Sequence, residues 1–402
     1  MKSIIFVLHS LAVGGAERRL SAVANDFAAQ GYDMTVLLLD DPVVKFEMHP
    51  AVKVVCIKQH PDLTAYDPEK CSLFQMERPP KTGLLDKALL RLAHASGAQT
   101  AALAERELYL RNNYAAPLEA YLRQYPDAIV ASFMTTPNIA TMMAAQKLPN
   151  RVLFGDCTDA AHEYPAGSPY TMLRKKYYTR AQSAIFQTTE QRDYYTFLPD
   201  TKKYVIPNFI QDANLPDPYE GERRKEIVNF CHLLEVKNLP LLVDAFAMLH
   251  ADYPDYTLAI FGEGRLKAKL NEQIAALGLA DRAFIHEADL NVHAKVRDAA
   301  MFVSSSDREG ISNSMLEAMA IGLPCVCTDC AGGGARMMIE DHENGLLVPM
   351  RDKQALYLAM KELIENPALA EKLSRNAVKI RERLRPDVIC QQMLSAILGE
   401  NE

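Results

Sequence analysis

The sequence predicts an α/β protein of two Rossmann-like domains whose parallel sheets face each other across a cleft. Three observations lead there. Short β-type apolar runs alternate with helical stretches, which implies parallel strands with helices on both faces. The alternation occurs twice. The 402 residues are also too many for one comfortable domain and suit two of roughly 200. Ligands of such domains bind at the carboxyl ends of strands, so the cleft is the expected site.

In the first half the strand candidates are Ser3–Leu8, Met34–Leu39, Val52–Cys56, Ala128–Ser132, Arg151–Gly155, Ala184–Gln187 and Tyr204–Ile206. The second half offers Ile227–Leu233, Thr257–Phe261, Ala283–His286, Met301–Ser304, Pro324–Thr328 and Gly345–Val348. Helical periodicity marks Ala16–Gln30, Leu239–His250, Leu266–Leu277 and Gln354–Ile364 between them. The Pro/Asn/Asp-rich run Pro207–Pro218 has the composition of a linker. The domains are therefore 1–207 and 208–385, with a last helical stretch (386–402) packing back on the first.

Composition excludes several classes. Hydrophobic residues make up 49% and charged ones 24%, as in ordinary soluble proteins. No apolar run reaches the roughly 18 residues needed to span a bilayer. The start, MKSIIFVLHSLAVGGAER, is broken by His9 and Ser10 and reads as a first buried strand rather than a signal peptide. The eight scattered cysteines read as reduced thiols of a cytoplasmic protein. Cys325, Cys327 and Cys330 have no second ligand pair after them, so they read as structural thiols rather than a metal site. Net charge is -7; residues 1–207 carry 23 Lys/Arg against 21 Asp/Glu, so the acidic excess lies in the second half. That argues against nucleic-acid binding.

The run DREGISNSMLEAMAIGLP carries the most chemistry. A strand ends near Ser304, Glu309 follows in a loop, and Met315, Leu316 and Met319 have the spacing of a buried helix face. Ser312, Asn313 and Ser314 stand at the helix start, where free N–H groups and the positive dipole end suit a phosphate. A carboxylate near a phosphate repels it, so Glu309 and Glu317 need another purpose. Glu317 lies one turn beyond Asn313 on the same face and is placed to accept hydrogen bonds from a vicinal diol. Glu309 is placed to do so for a second polyhydroxyl group. A phosphate flanked by two diol readers describes a nucleotide sugar.

Weaker signals surround this run. Gly14 and Gly15 follow the first strand and open a helix, as in loops that let a phosphate approach the backbone. His232 ends the first strand of the second half, and Lys237 starts the next helix as a cation for a diphosphate. Gly262 belongs to another strand-end turn, Phe261-Gly262-Glu263-Gly264. Residues 58–126 fit the alternation worst. There Lys70, Arg78, Lys81, Lys87 and Arg91 interleave with Leu73, Phe74, Leu84, Leu85, Leu89 and Leu90. That composition suits a basic amphipathic helix on an anionic membrane or a lipid-linked acceptor, and equally a surface insertion.

In this order and at these separations, Gly14-Gly15-Ala16-Glu17-Arg18, Leu233 with Lys237-Asn238, Phe261–Gly264, the Glu309/Glu317 helix and Asn344–Pro349 resemble the retaining glycosyltransferases of family 4. The likeness covers nearly the whole chain, and the Glu-Gly-Ile-Ser-Asn-Ser form is similar to that of bacterial capsule, O-antigen and glycan-assembly enzymes. The resemblance implies the GT-B fold, with acceptor binding in the first domain and donor binding in the second. It implies that Glu309 contacts the donor sugar, that the backbone of Gly310, Ile311, Ser312 and Asn313 holds sugar and diphosphate, that Glu317 holds the ribose and Lys237 the diphosphate. It also implies front-face displacement with retention, a UDP-linked hexose or N-acetylhexosamine donor, and no metal or other cofactor.

The chain departs from the family twice. An arginine is usual where His232 stands, and a histidine where the chain reads Ser132-Phe133-Met134, which leaves Asp156 as a polar group for the acceptor. GDP-sugar (mannosyl) transfer, a nucleotide-sugar epimerase and a non-catalytic sugar-binding protein are the alternatives. The last two lack, respectively, the epimerase histidines and an export signal.

Overall fold

The computed structural model describes all residues except Met1, Val13, 58–66, Gln75, 77–81, 158–159, 212–214 and 401–402. Two all-parallel sheets organise the chain. In the first, β1 (Ser3–Leu8), β2 (Asp33–Leu38), β3 (Lys53–Cys56), β4 (Ser72–Leu73), β5 (Ile129–Phe133), β6 (Val152–Asp156), β7 (Ser183–Phe186) and β8 (Lys203–Val205) lie in the order β4-β3-β2-β1-β5-β6-β7-β8. The second holds β9 (Arg224–Phe230), β10 (Thr257–Phe261), β11 (Ala283–His286), β12 (Ala299–Ser304), β13 (Cys325–Asp329) and β14 (Leu346–Pro349) in the order β11-β10-β9-β12-β13-β14. The strands sit within a few residues of their expected positions. Parallel strands covered on both faces must be apolar on both, which is why β1 reads as an unbroken run: Ile4 to Leu8 are at most 1% exposed.

Strand order reverses between β1 and β5 in one sheet and between β9 and β12 in the other. At such a reversal the loops leaving neighbouring strands diverge and open a crevice at the carboxyl edge. The loops after β9 and β12, which carry Lys237 and Glu309, therefore emerge side by side.

Contacts divide the chain into two compact units. One comprises Met1–Gln187, Gln191–Ile206 and Cys390–Glu402; the other comprises Thr188–Glu190 and Pro207–Ile389. Within the first, Arg151 Nε donates to the Ile397 carbonyl at 2.9 Å, fastening the end of the last helix, Pro386–Leu398. Each unit has its own core. In the first it gathers around Phe154, Tyr178, Phe186 and Tyr195. In the second, Leu242 and Phe246 of the Leu239–Asp252 helix pack with Ile260 and Val303.

Three expectations change. Strand β9 ends at Phe230, not Leu233, because the chain there turns onto the Gly262–Gly264 turn: Leu233 N–H donates to the Glu263 carbonyl at 2.8 Å. The 72–73 pairing adds a strand in the stretch that fitted the alternation worst. Of the expected basic helix, Leu84–Ala95 is formed, while Arg78 and Lys81 lie outside the described residues, as do Asp212, Ala213 and Asn214 of the linker. All eight cysteines are free thiols, Cys325, Cys327 and Cys330 being buried. Burial pushes the Cys330 thiol up to about 12. Among the described residues no helix is long and apolar enough to cross a membrane.

Candidate active site

In the second unit the loop after β12 is tied to the turn after β9 by backbone and side chain together. Ser305 Oγ donates to the carbonyls of Lys237 and Asn238, each at 3.0 Å, and Asp307 N–H donates to the Val236 carbonyl at 2.8 Å. Asn238 Nδ2 donates to Asp307 Oδ1 at 3.0 Å, and Arg351 holds the other oxygen of Asp307 at 2.9 Å. Asn238 has φ 45° and ψ 42°, the left-handed conformation an asparagine tolerates, and it stops the Glu235–Lys237 turn before the next helix begins.

This stitching brings Lys237 and Glu309 into an ion pair, each side chain 18% exposed. Ser306 Oγ donates to the same carboxylate oxygen, Oε1, at 3.1 Å. Burial works to lower the Lys237 pKa, but the adjacent Glu309 outweighs it and holds the ammonium above its ordinary value. Lys237 is therefore a fixed cation at neutral pH. The neighbouring Cys231 thiol is pushed up to about 12 by burial, so it supplies no thiolate nucleophile there.

Glycine makes the loop's position possible. Glu309 N–H donates to the Ala331 carbonyl at 2.9 Å, and a Cβ on Gly332 would lie 2.1 Å from the Glu309 carbonyl oxygen. A Cβ on Gly334 would lie 1.6 Å from the Gly310 oxygen. Within the same unit, Gly332 N–H donates to Glu190 Oε1 and its carbonyl accepts from Thr188 Oγ1, at 3.0 and 2.6 Å. The sequence reading missed this glycine run. Its signal was there to read in Ala331-Gly332-Gly333-Gly334, after a strand at the carboxyl edge.

The following helix is Asn313–Ala320, with Ser312 as N-cap making no side-chain cap bond. Ser312 thus leaves the first-turn N–H groups without its cap, as an anion site requires. Asn313 Oδ1 accepts from Asn208 Nδ2 at 3.1 Å, and Ile311 is buried. One turn on, Glu317 Oε2 lies 3.0 Å from His293 Nε2. His293, on the short Val292–Val296 helix, was also missed; it lies 24 residues from its partner in sequence, and nothing local links the two.

His232 is exposed, two residues beyond β9. Gly262 has a packing reason for lacking a side chain: a Cβ there would sit 1.9 Å from the Cys231 carbonyl oxygen. The structure thus groups Lys237, Glu309, Gly310, Ile311, Ser312, Asn313 and Glu317 on two adjacent loops and one helix.

The first unit holds Gly14, Gly15 and Asp156. Gly14 precedes the Gly15–Ala29 helix with φ 150°, and the Glu17 carboxylate folds over it, 2.0 Å from where a Cβ would be. Near the same edge of the sheet, past the ends of β1 and β2, His9 Nδ1 lies 2.5 Å from Asp40 Oδ2, and the Tyr114 hydroxyl donates to Asp40 Oδ1 at 3.1 Å. This cluster was not anticipated either. Asp156, proposed for the acceptor, is only 1% exposed and accepts a hydrogen bond from the buried Tyr195 hydroxyl. Its burial corrects that expectation: the carboxylate serves the core, not a ligand. Beside it, where a histidine was noted as absent, Met134 has φ 71° and ψ 160°. That conformation costs an L-residue about 1–3 kcal/mol.

With this geometry in hand, residues 211–380 match the family described as Glycosyl transferases group 1. That match covers most of the second unit but less than half of the chain, and the two sheets are those of a GT-B fold. A Campylobacter jejuni enzyme, N-acetylgalactosamine-N,N'-diacetylbacillosaminyl-diphospho-undecaprenol 4-alpha-N-acetylgalactosaminyltransferase, is 32% identical over 191 residues, covering 47% of this chain and 49% of the relative. The chain spans about half the length of that relative, and of a Haemophilus influenzae glycosyltransferase matched at 28% identity. Among solved structures, TarM is similar over 99% of both chains, with TM-score 0.72 and 14% identity. Anabaena HepE, solved with UDP and glucose, is similar over 100% of both, with TM-score 0.70 and 16% identity.

Proposed function

We propose that this chain is a retaining glycosyltransferase that moves a hexose or N-acetylhexosamine from a UDP-linked donor to a saccharide or lipid-linked acceptor in cell-surface glycan assembly. The observation that carries the proposal is the Lys237–Glu309 pair set beside the uncapped Asn313–Ala320 helix. A fixed cation and a helix N-terminus converge where a diphosphate needs them, and a carboxylate stands beside them for hydroxyl groups.

In this reading Glu317 accepts hydrogen bonds from the ribose diol, and the first-turn N–H groups hold the diphosphate. Lys237 turns from Glu309 to the leaving phosphate as negative charge builds there. Glu309, with Oε1 engaged by Ser306 and Lys237, presents Oε2 to a hydroxyl of the transferred sugar. The departing phosphate takes the acceptor's proton as the new bond forms on the same face, so no protein nucleophile is required. Lys237 and the helix terminus supply the countercharge, and we expect turnover to persist in a chelator.

The acceptor end has separate support. On the Leu84–Ala95 helix Leu84, Leu85, Leu89 and Leu92 are 86, 82, 61 and 66% exposed, flanked by exposed Lys87 and Arg91. An apolar stripe with a cationic edge suits an anionic lipid surface carrying the acceptor. The match to the Campylobacter enzyme, whose named substrate is a diphospho-undecaprenol, points the same way.

The test is incubation with a panel of UDP- and GDP-sugars and a bacterial lipid extract, following nucleotide release and lipid-linked glycan by mass spectrometry. The proposal expects release that depends on the extract and a product one sugar heavier. Release without an acceptor favours an epimerase or hydrolase, and GDP-sugar use favours the mannosyl alternative.

A further inference from the structure

We infer that His293 is a positioning residue for nucleotide recognition, holding the Glu317 carboxylate in the orientation that reads the ribose diol. The inference rests on the proposed role of Glu317 and goes beyond it. His293 Nε2 lies 3.0 Å from Glu317 Oε2, and the two side chains are 14% and 24% exposed. A carboxylate only accepts, so the imidazole donates, in a tautomer with its proton on Nε2.

The ring is itself fixed. It stands edge-on to Phe230 at the end of β9, ring centroids 5.4 Å apart and planes at 88°. Phe230 in turn packs on Phe302 of β12 at 5.0 Å. The orientation of Glu317 is thus referred back to the two central strands of the sheet, the same strands whose loops carry Lys237 and Glu309. Glu317 is on an eight-residue helix with a flexible side chain. Unheld, it has several rotamers to lose when a diol binds; held at Oε2, it keeps Oε1 aimed and loses fewer.

This assigns His293 a role that packing alone does not have, and two substitutions separate them. His293→Phe keeps a ring against Phe230 and removes the donor. His293→Gln keeps an N–H donor of similar reach and removes the ring. Calorimetry would titrate UDP, GDP and their 2′,3′-dideoxy analogues into the native protein, both variants, Glu317→Ala and the double variant His293→Phe/Glu317→Ala. The expected result is a roughly tenfold weaker affinity of His293→Phe for the ribonucleotide, recovered largely in His293→Gln and absent for the dideoxy analogue. In the Glu317→Ala background the further loss on removing His293 should vanish, since the two act as one unit. Melting curves establish that each variant is folded.

Equal losses for ribo- and dideoxynucleotide, or additive losses in the double variant, would overturn the inference and leave His293 a packing residue. An effect of Glu317→Ala with none from His293→Phe would overturn it while leaving the ribose role of Glu317 standing. No effect of Glu317→Ala, or no binding of either nucleotide by the native protein, would overturn both.

Discussion

In the second unit, the loops leaving β9 and β12 are locked together by at least four hydrogen bonds and an ion pair, and a glycine run lets a third loop press against them. At the corresponding edge of the first unit, the Glu17 carboxylate folds over Gly14, and the His9–Asp40 pair is about a third exposed. The difference teaches that the charged groups of one edge are held by several backbone and side-chain bonds before any ligand arrives, whereas the His9–Asp40 pair of the other is more open to solvent. Preorganised charge suits a site where charge develops during reaction; a more open polar edge suits recognition of hydroxyl groups. That contrast fits a donor side and an acceptor side.

The largest expected effect comes from breaking the locked edge. Lys237→Met removes the cation and leaves Glu309 partly buried without its ion pair, so turnover should fall by roughly 10²- to 10³-fold. Because Glu309 raises the folded-state pKa of Lys237, the ammonium's contribution to stability is complete below its unfolded value, near 10.4, and is lost only as pH rises through the folded value. The ratio of native to variant activity should therefore stay flat from about pH 6 to about pH 9. A ratio that collapses towards one within that range would contradict the assignment.

The exposed helix of the first unit comes next. Replacing Leu85 and Leu89 by serine should weaken sedimentation with anionic vesicles by about tenfold or more, and rising salt should weaken the native protein too. Vesicle binding indifferent to both would return the segment to a plain surface insertion. His232→Arg should be milder: a permanent charge on an exposed loop preserves turnover or raises it by a few fold. A loss would mean that the imidazole itself is required.

The smallest effect belongs to the more open edge. His9→Ala should leave UDP affinity unchanged and shift the melting temperature little, since a pair this open to solvent contributes about 0–1 kcal/mol. A large loss of stability would show that this edge is as rigid as the other and would remove the contrast.

How much of this was legible beforehand follows from what each feature depends on. Strands buried on both faces need continuous apolar runs, so β1 and β10 were readable to the residue. Glu309, Glu317 and Lys237 were readable because a strand end, a helix start and their spacing are local properties. The end of β9 was misplaced because the turn at Cys231–Leu233 is imposed by Gly262 and Gly264 some 30 residues on. His293 with Glu317, Glu190 with Gly332, and Tyr114 with Asp40 are pairings across 24, 142 and 74 residues. No periodicity or motif encodes these, because they exist only once the sheets have formed. Asp156 failed for a related reason. Its position at a strand's carboxyl end suggested a ligand, and only packing shows the Tyr195 hydroxyl already there.

The central claim is that Glu317 reads the nucleotide and Glu309 the sugar it carries, on one preformed edge. The most direct measurement is calorimetric titration of UDP and of UDP-sugars into the native protein, Glu309→Ala and Glu317→Ala, paired with turnover. Glu317→Ala should weaken UDP and UDP-sugar alike, by about 1.5–3 kcal/mol. Glu309→Ala should leave UDP binding nearly intact while lowering turnover. Unchanged UDP affinity in Glu317→Ala, or equal losses of UDP and UDP-sugar affinity in Glu309→Ala, would contradict the account.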